Sequence, residues 1–224
     1  MAVTSPRTVA AILVAAGSGQ RLGADVPKAF VPVAGRTLLE HAAGRFDGHP
    51  GITSVVVVVP EANAAQAREL TRLTVVAGGA TRQSSVAAGL AALGTDVEFV
   101  LVHDVARPFV PATVIDAVLA ALESGADAVV PVVPIADTVR RVDESGQLAG
   151  PVDRSSLVAI QTPQGFRHSV LADAHARGAG TAVTDDAGLV EAAGGTVVAV
   201  PGADEAFKIT TRADLARAED TALR

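Results

Sequence analysis

The chain contains no cysteine, no tryptophan and no tyrosine, and only six phenylalanines. Without cysteine there are no disulfides, no thiolate nucleophile and no cysteine-ligated zinc, and a reducing cytoplasm is the expected location. So few aromatic rings leave no platform on which the bases of a single strand would stack. A formal net charge of −6 points the same way, because a polyanion binder needs a basic surface to release counterions. No uninterrupted apolar run approaches the roughly 20 residues that span a bilayer. Arg7 followed by the apolar run Val9 to Ala16 has the outline of a secretory leader. Its removal would leave the junction Ala16-Gly17-Ser18-Gly19 without its strand, whereas a buried first strand explains the same residues.

What the chain does have is apolar mass: 49% of its 224 residues, with no long polar linker, so a single domain over residues 1–224 is expected. Apolar β-branched runs recur at Val9 to Val14, Val55 to Val59, Leu73 to Val76, Phe99 to Val102, Ala128 to Val133 and Thr196 to Val200. Each reads as a strand buried on both faces. Helical spacing occupies the intervals at Leu38 to Phe46, Ala62 to Leu70, Ser84 to Leu93, Val114 to Leu122, Val170 to Ala176 and Ala187 to Ala192. Parallel strands need crossover connections, so this alternation predicts an α/β, Rossmann-like three-layer fold with a mostly parallel central sheet. One stretch breaks the pattern: Thr138 to Val142, the turn Asp143-Glu144-Ser145-Gly146, then Gln147 to Val152. Alternating residues around a glycine-containing turn predict a protruding β-hairpin arm at about 137–154, the alternative being a solvated surface loop.

Three constellations carry chemistry. The first, Ala15-Ala16-Gly17-Ser18-Gly19-Gln20-Arg21-Leu22-Gly23, follows directly on the first strand, where open α/β sheets bind ligands. Glycines let backbone N–H groups approach phosphate oxygens, and Arg21 and Lys28 add positive charge. Leu22 occupies the place where a dinucleotide fingerprint needs glycine, and no Lys-Ser or Lys-Thr follows the last glycine as a P-loop requires. Pro27 stiffens the chain before Lys28. The bland alternative is a plain strand-to-helix turn with surface charges.

The second is Val102-His103-Asp104-Val105-Ala106-Arg107-Pro108, again at a strand end. Asp104 is a candidate magnesium ligand, since that ion takes one or two carboxylates plus substrate phosphates. Arg107 is a candidate phosphate ligand, and His103 reads as structural. The third, Gly78-Gly79-Ala80-Thr81-Arg82-Gln83-Ser84-Ser85-Val86, is a loop entering a helix capped near Thr81, able to read a base edge through its backbone and Ser85. There is no G-x-S-x-G elbow and no H-E-x-x-H. Such a set suits an attacking group that is itself a substrate phosphate, with positioning and charge neutralisation supplying the catalysis.

Taken in order, A-A-G-S-G-x-R-L-G-x-x-x-P-K, G-G-x-x-R-x-x-S-V, V-H-D-V-A-R-P, D-T-V-R-R, Q-T-P-Q-x-F, T-D-D and F-K-I-T give a resemblance to the 2-C-methyl-D-erythritol 4-phosphate cytidylyltransferases of the non-mevalonate isoprenoid pathway. It runs from about Val9 to Leu215. The glycine loop is shared with sugar-phosphate nucleotidyltransferases; the V-H-D-x-A-R-P and T-P-Q-x-F elements are more specific. The resemblance implies attack of the acceptor 4-phosphate on the α-phosphorus of CTP, with magnesium, giving the CDP-alcohol and pyrophosphate. It implies that Ala15, Ala16, Gly17, Ser18 and Gly19 wrap the triphosphate, while Arg21 and Lys28 stabilise the pentacoordinate phosphorus and the leaving group. It places Gly79 and Ser85 on cytosine, and Asp104 near magnesium and the ribose or acceptor. It puts Lys208 and Arg154 on the acceptor phosphate, Arg154 reaching the neighbouring subunit's site. Arg107, Thr138, Thr162 and Thr184 match positions that bind the methylerythritol portion. A homodimer joined through the hairpin arm is therefore implied.

Two positions depart from the pattern: Ala80 stands where many members carry an acidic residue, and Val105 replaces a common alanine. With the chain ending at Arg224, no fused cyclodiphosphate synthase domain is expected. A sugar-1-phosphate nucleotidyltransferase using another base and a catalytically silent nucleotide-binding module stay open as alternatives. The second is disfavoured by the four charges Arg21, Lys28, Asp104 and Lys208.

Overall fold

The computed structural model describes residues 7–15, 26–178 and 183–223. Strands β1 (Val9–Val14), β4 (Ser54–Val59), β5 (Thr74–Ala77), β6 (Phe99–Asp104), β7 (Ala128–Pro134) and β12 (Val197–Pro201) coincide with the six predicted runs to within a residue or two. They alternate with α1 (Leu38–Asp47), α2 (Ala64–Thr71), α3 (Arg82–Ala91), α4 (Ala112–Glu123), α5 (His168–Arg177) and α6 (Asp186–Ala192). A two-stranded ribbon of β2 (Pro32–Val33) and β3 (Arg36–Thr37) precedes α1.

The β1–β6, β1–β4, β4–β5 and β7–β12 pairs are all parallel. Two short strands run against them. β10 (Val158–Ile160) and β11 (Gln164–Arg167) both pair antiparallel with β7, and β11 also pairs antiparallel with β6. They lie along one edge of β7 while β12 takes the other, so the eight-stranded sheet runs β12, β7, β10/β11, β6, β1, β4, β5. The mostly parallel sheet is as predicted; its antiparallel insertion is not.

Alternate residues of each central strand feed two different cores, as period-2 geometry requires. Val9, Ala11 and Leu13 of β1 join Phe99 and Leu101 of β6 under α1, α2 and α4 through Leu39, Phe46, Ala67 and Ile115. Ala10 and Ile12, with Val56, Val58, Val100 and Val102, face α3, α5 and α6 through Val86, Leu171 and Leu189. Three layers result. On the second face α3 lies so close to β1 that a Cβ on Gly89 would come within 2.6 Å of Ile12 Cγ2.

The hairpin forms with shorter strands than predicted: β8 (Arg140–Val142) pairs with β9 (Leu148–Pro151), with a bulge between Arg140 and Arg141. Asp143 Oδ1 accepts from the N–H groups of Ser145 and Gln147, both at 2.9 Å, and Gly146 takes the left-handed φ of +83° that closes the turn. Every residue from 140 to 151 is exposed. A final helix, α7 (Arg212–Ala222), was not predicted; of its side chains only Ala218 is buried, too little for an apolar periodicity to show. Among the described residues no helix is long and apolar enough to cross a membrane.

Candidate active site

Register brings the constellations together. Val14, at the end of β1, is paired with Asp104 on one side and Val58 on the other. Ala15 N–H then donates to Val58 O at 2.8 Å, Gly78 N–H to Val59 O at 2.7 Å, and Val105 N–H to Val14 O at 3.1 Å. The start of the glycine loop, the Gly78–Gly79 loop and Asp104 thus share the carboxyl edge of four neighbouring parallel strands, β6, β1, β4 and β5. Ala16, Gly17, Ser18, Gly19 and Arg21 lie outside the described residues.

Asp104 is the electrostatic centre. Its Oδ2 accepts from Lys208 Nζ at 2.7 Å, and its Oδ1 from Arg82 Nε at 3.3 Å. Burial alone would raise the carboxyl's pKa, but the charges of Arg82 and Lys208 outweigh it and hold the group well below the usual carboxylate range. Arg82 Nη1 also donates to Asp186 Oδ2, and Asp186 Oδ1 pairs with His175 Nε2 at 2.9 Å. Burial works against the Arg82 charge, yet Asp186 and Asp104 together raise its pKa above the ordinary value.

Beneath Asp104 lies a buried polar chain. His103 is fully buried and its desolvation is the main reason its pKa falls to about 4, so the imidazole is neutral. The carbonyl of Arg107, 3.0 Å from Nε2, can only accept, so Nε2 carries the proton. Nδ1 therefore accepts from the Thr162 hydroxyl at 3.0 Å, and Thr162 Oγ1 accepts in turn from Asp104 N–H at 3.1 Å. His103 is structural, as expected: it fixes the backbone from which Asp104 projects. Arg107 is half-buried, and its Nη1 and Nη2 donate to Ala206 O at 2.8 Å and Ile160 O at 3.2 Å. Ile209 N–H donates to Ala106 O at 2.8 Å, and Arg217 of α7 stacks 4.0 Å over the Phe207 ring. These contacts dock the segment bearing Lys208 onto the loop bearing Asp104.

The Gly78–Gly79 loop is shaped by the start of α3. Thr81 caps the helix, accepting from Ser84 N–H at 3.0 Å while Ser84 Oγ accepts from Thr81 N–H at 2.9 Å. Ser84 Oγ fills the place a Gly79 side chain would need. Ser85 is buried and its hydroxyl donates to Thr81 O at 2.8 Å. Lys28 is half-buried and opens a 3-10 turn, Lys28–Phe30, anchored by the buried Ala29 and Phe30.

The remaining predicted residues divide. Lys208 and Thr162 join Asp104 directly, and Thr184 is exposed just ahead of α6. Thr138 and Arg154 stand at the root of the arm instead, where Arg154 Nη1 donates to the carbonyls of Ala136 and, at 3.2 Å, Asp137. Among the described residues no three His, Asp or Glu side chains converge as a metal cage. Asp104, whose two oxygens already accept from Arg82 and Lys208, would hold magnesium only together with substrate phosphates, as that ion is commonly held. Arg82, Asp186 and His175 were not singled out from sequence. The first two sit inside the G-G-x-x-R and T-D-D motifs, but their pairing across 104 positions leaves no local signal.

The family model described as 2-C-methyl-D-erythritol 4-phosphate cytidylyltransferase matches residues 9–223. The chain belongs to this cytidylyltransferase family. A member from Saccharopolyspora erythraea is 50% identical over 222 residues, covering 95% of this chain and 98% of its own length. A protein from Clavibacter michiganensis named bifunctional enzyme IspD/IspF is 47% identical over all of this chain, which spans 56% of that longer protein. Among solved structures, the cytidylyltransferase from Thermus thermophilus superposes with a TM-score of 0.82 at 39% identity, covering 95% of this chain and 98% of that one. The 4-diphosphocytidyl-2C-methyl-D-erythritol synthase from Anaerococcus prevotii gives 0.85 at 28% identity, with 98% and 100% covered. The cytidylyltransferase family thus shares both the sequence pattern and the three-layer architecture.

Proposed function

We propose that this single-domain chain transfers CMP from CTP to 2-C-methyl-D-erythritol 4-phosphate, releasing pyrophosphate, as a step in isoprenoid precursor biosynthesis in the cytoplasm. The observation that carries the reading is Asp104, at the carboxyl edge of the sheet and paired with Val14, after which the glycine loop begins, with Lys208 2.7 Å away. A carboxylate able to share a divalent cation with phosphates stands there beside a cation able to hold a second phosphate.

An oxygen of the acceptor phosphate forms a bond to the α-phosphorus of CTP, and the bond from that phosphorus to the β-phosphate bridging oxygen breaks. The departing electron pair leaves on pyrophosphate. The segment from Ala15 to Gly19 wraps the triphosphate, Ala15 anchoring it to β4 through its own N–H, while Arg21 and Lys28 neutralise the charge that builds on the phosphorus and the leaving group. Gly79 and Ser85 hold cytosine, Ser85 by shaping the loop whose backbone meets the base. Lys208 and Arg154 orient the acceptor phosphate; Arg107, Thr138, Thr162 and Thr184 border the methylerythritol portion. Magnesium, held by Asp104 and the phosphates, supplies charge neutralisation. Because Thr138 and Arg154 stand at the root of the exposed arm, they serve the partner's site in a homodimer joined through that arm.

The test is product identity: incubation with CTP, methylerythritol phosphate and magnesium is expected to yield a cytidine diphosphate ester, read by phosphorus NMR and mass. A nucleotide ester formed only with a hexose 1-phosphate and another nucleotide would replace this assignment.

A further inference from the structure

Arg82 carries no role in the reaction as set out above, yet its guanidinium joins two carboxylates that belong to different parts of the site. It is the first residue of α3, three positions beyond Gly79. Its Nε donates to Asp104 Oδ1 at 3.3 Å and its Nη1 to Asp186 Oδ2. Asp186 is only 2% exposed and its other oxygen is taken by His175 Nε2 at 2.9 Å. The carboxylate is therefore an anchor sealed inside the protein, not a group that meets substrate.

Asp186 is also the first residue of α6. The residue before it, Asp185, caps that helix by accepting from Gly188 N–H at 3.0 Å and takes a 2.6 Å bond from Gln164 Nε2. Thr184 immediately precedes. Hydrogen bonds between these side chains form one continuous strut, His175–Asp186–Arg82–Asp104–Lys208, running through α5, α6, α3, the end of β6 and the Lys208 segment. The strut thereby couples the loop assigned to the base, the carboxylate assigned to the metal and the segment assigned to the acceptor.

We infer that Arg82 is a positioning residue for the transfer. By holding Asp104 Oδ1 it fixes the carboxylate's rotation and keeps Oδ2 on Lys208, and by holding Asp186 it ties α3 to the start of α6, next to Thr184. The planar fork of a guanidinium can serve two carboxylates at once, whereas an ammonium is a single point charge. The inference rests on the role proposed for Asp104.

Turnover of CTP and methylerythritol phosphate by the unaltered protein is measured first; its failure would sink the functional reading before Arg82 is questioned. With turnover established, Arg82→Lys, Asp186→Asn and the double variant are compared for kcat, for KM of each substrate and for melting temperature, assayed well below every midpoint. The expected result is a kcat lowered about tenfold or more by Arg82→Lys and about threefold or more by Asp186→Asn, with KM for CTP within about threefold. The double variant should be no worse than Arg82→Lys alone, because both changes cut one strut. A purely structural clamp would lower the melting temperature and leave kcat of the folded protein intact, and that outcome overturns the inference. So does a double variant whose losses multiply. If Arg82→Lys does not fold, Asp186→Asn decides alone: unchanged kcat in that folded variant overturns the inference.

Discussion

Two regions of this molecule are built on opposite principles. Around Asp104, Arg82, Thr162 and Lys208 are all committed to partners within the chain, and the carboxylate side chain itself is 15% exposed. In the arm, Val142 and Leu148 are 64% and 66% exposed, and strands β8 and β9 have only each other. A lone two-stranded hairpin is marginal in water. The first region is determined by the chain that contains it; the second is shaped by its turn and presents apolar side chains outward, which supports the dimer proposed through the arm.

The contrast breaks most severely if the support of the first region is removed. Phe166 is fully buried on β11, the strand wedged between β6 and β7. Phe166→Ala should cost about 3–5 kcal/mol of folding stability, read from urea unfolding; a loss under about 1 kcal/mol would mean that β11 does not support the site. Next in size is Lys28→Ala, expected to lower kcat on the order of a hundredfold with a much smaller effect on CTP affinity, by analogy with lost oxyanion donors. An effect confined to KM would reduce Lys28 to a binding residue.

A smaller effect comes from Asp214, which ties down the chain just after Lys208 by accepting from the N–H groups of Thr210 and Thr211, both at 2.8 Å. Its modest burial opposes ionisation, but these bonds and those from the two hydroxyls lower its pKa to about 2 from an ordinary 3.8. A depressed carboxyl stabilises the fold at pH above its unfolded value and loses that contribution as pH falls through the folded one. The melting-temperature gap between the natural protein and Asp214→Asn should therefore be full at pH 6 and close between about pH 3.8 and 2. A gap independent of pH would contradict the role given to those bonds. The smallest effect is expected in the arm: Val142→Thr and Leu148→Ser should change unfolding of the separated subunit by less than about 0.5 kcal/mol. Both should weaken self-association in sedimentation, and unchanged association would remove the arm from the interface.

The same contrast governs what could be read from sequence. Strands β1, β4 and β6 were legible because both faces of each are apolar, leaving runs such as Val55 to Val59 with no competing helical period. The antiparallel pair β10 and β11 was not legible: Val158-Ala159-Ile160 is short, and Gln161, Thr162 and Gln164 are buried polar residues bonded to distant groups. Site residues inside contiguous motifs, such as Asp104 and Lys208, stood out, and the structure adds the bond between them. The Arg82–Asp186–His175 strut was invisible because its members come from three helices and meet only in the folded chain.

The most direct measurement is pyrophosphate release by the purified protein with magnesium, crossing CTP, UTP, GTP and ATP against methylerythritol phosphate, glucose 1-phosphate and no acceptor. Release with CTP and methylerythritol phosphate alone is the expected result. Release with a different nucleotide and sugar phosphate, or silence in every combination from folded protein that still binds CTP, would contradict it.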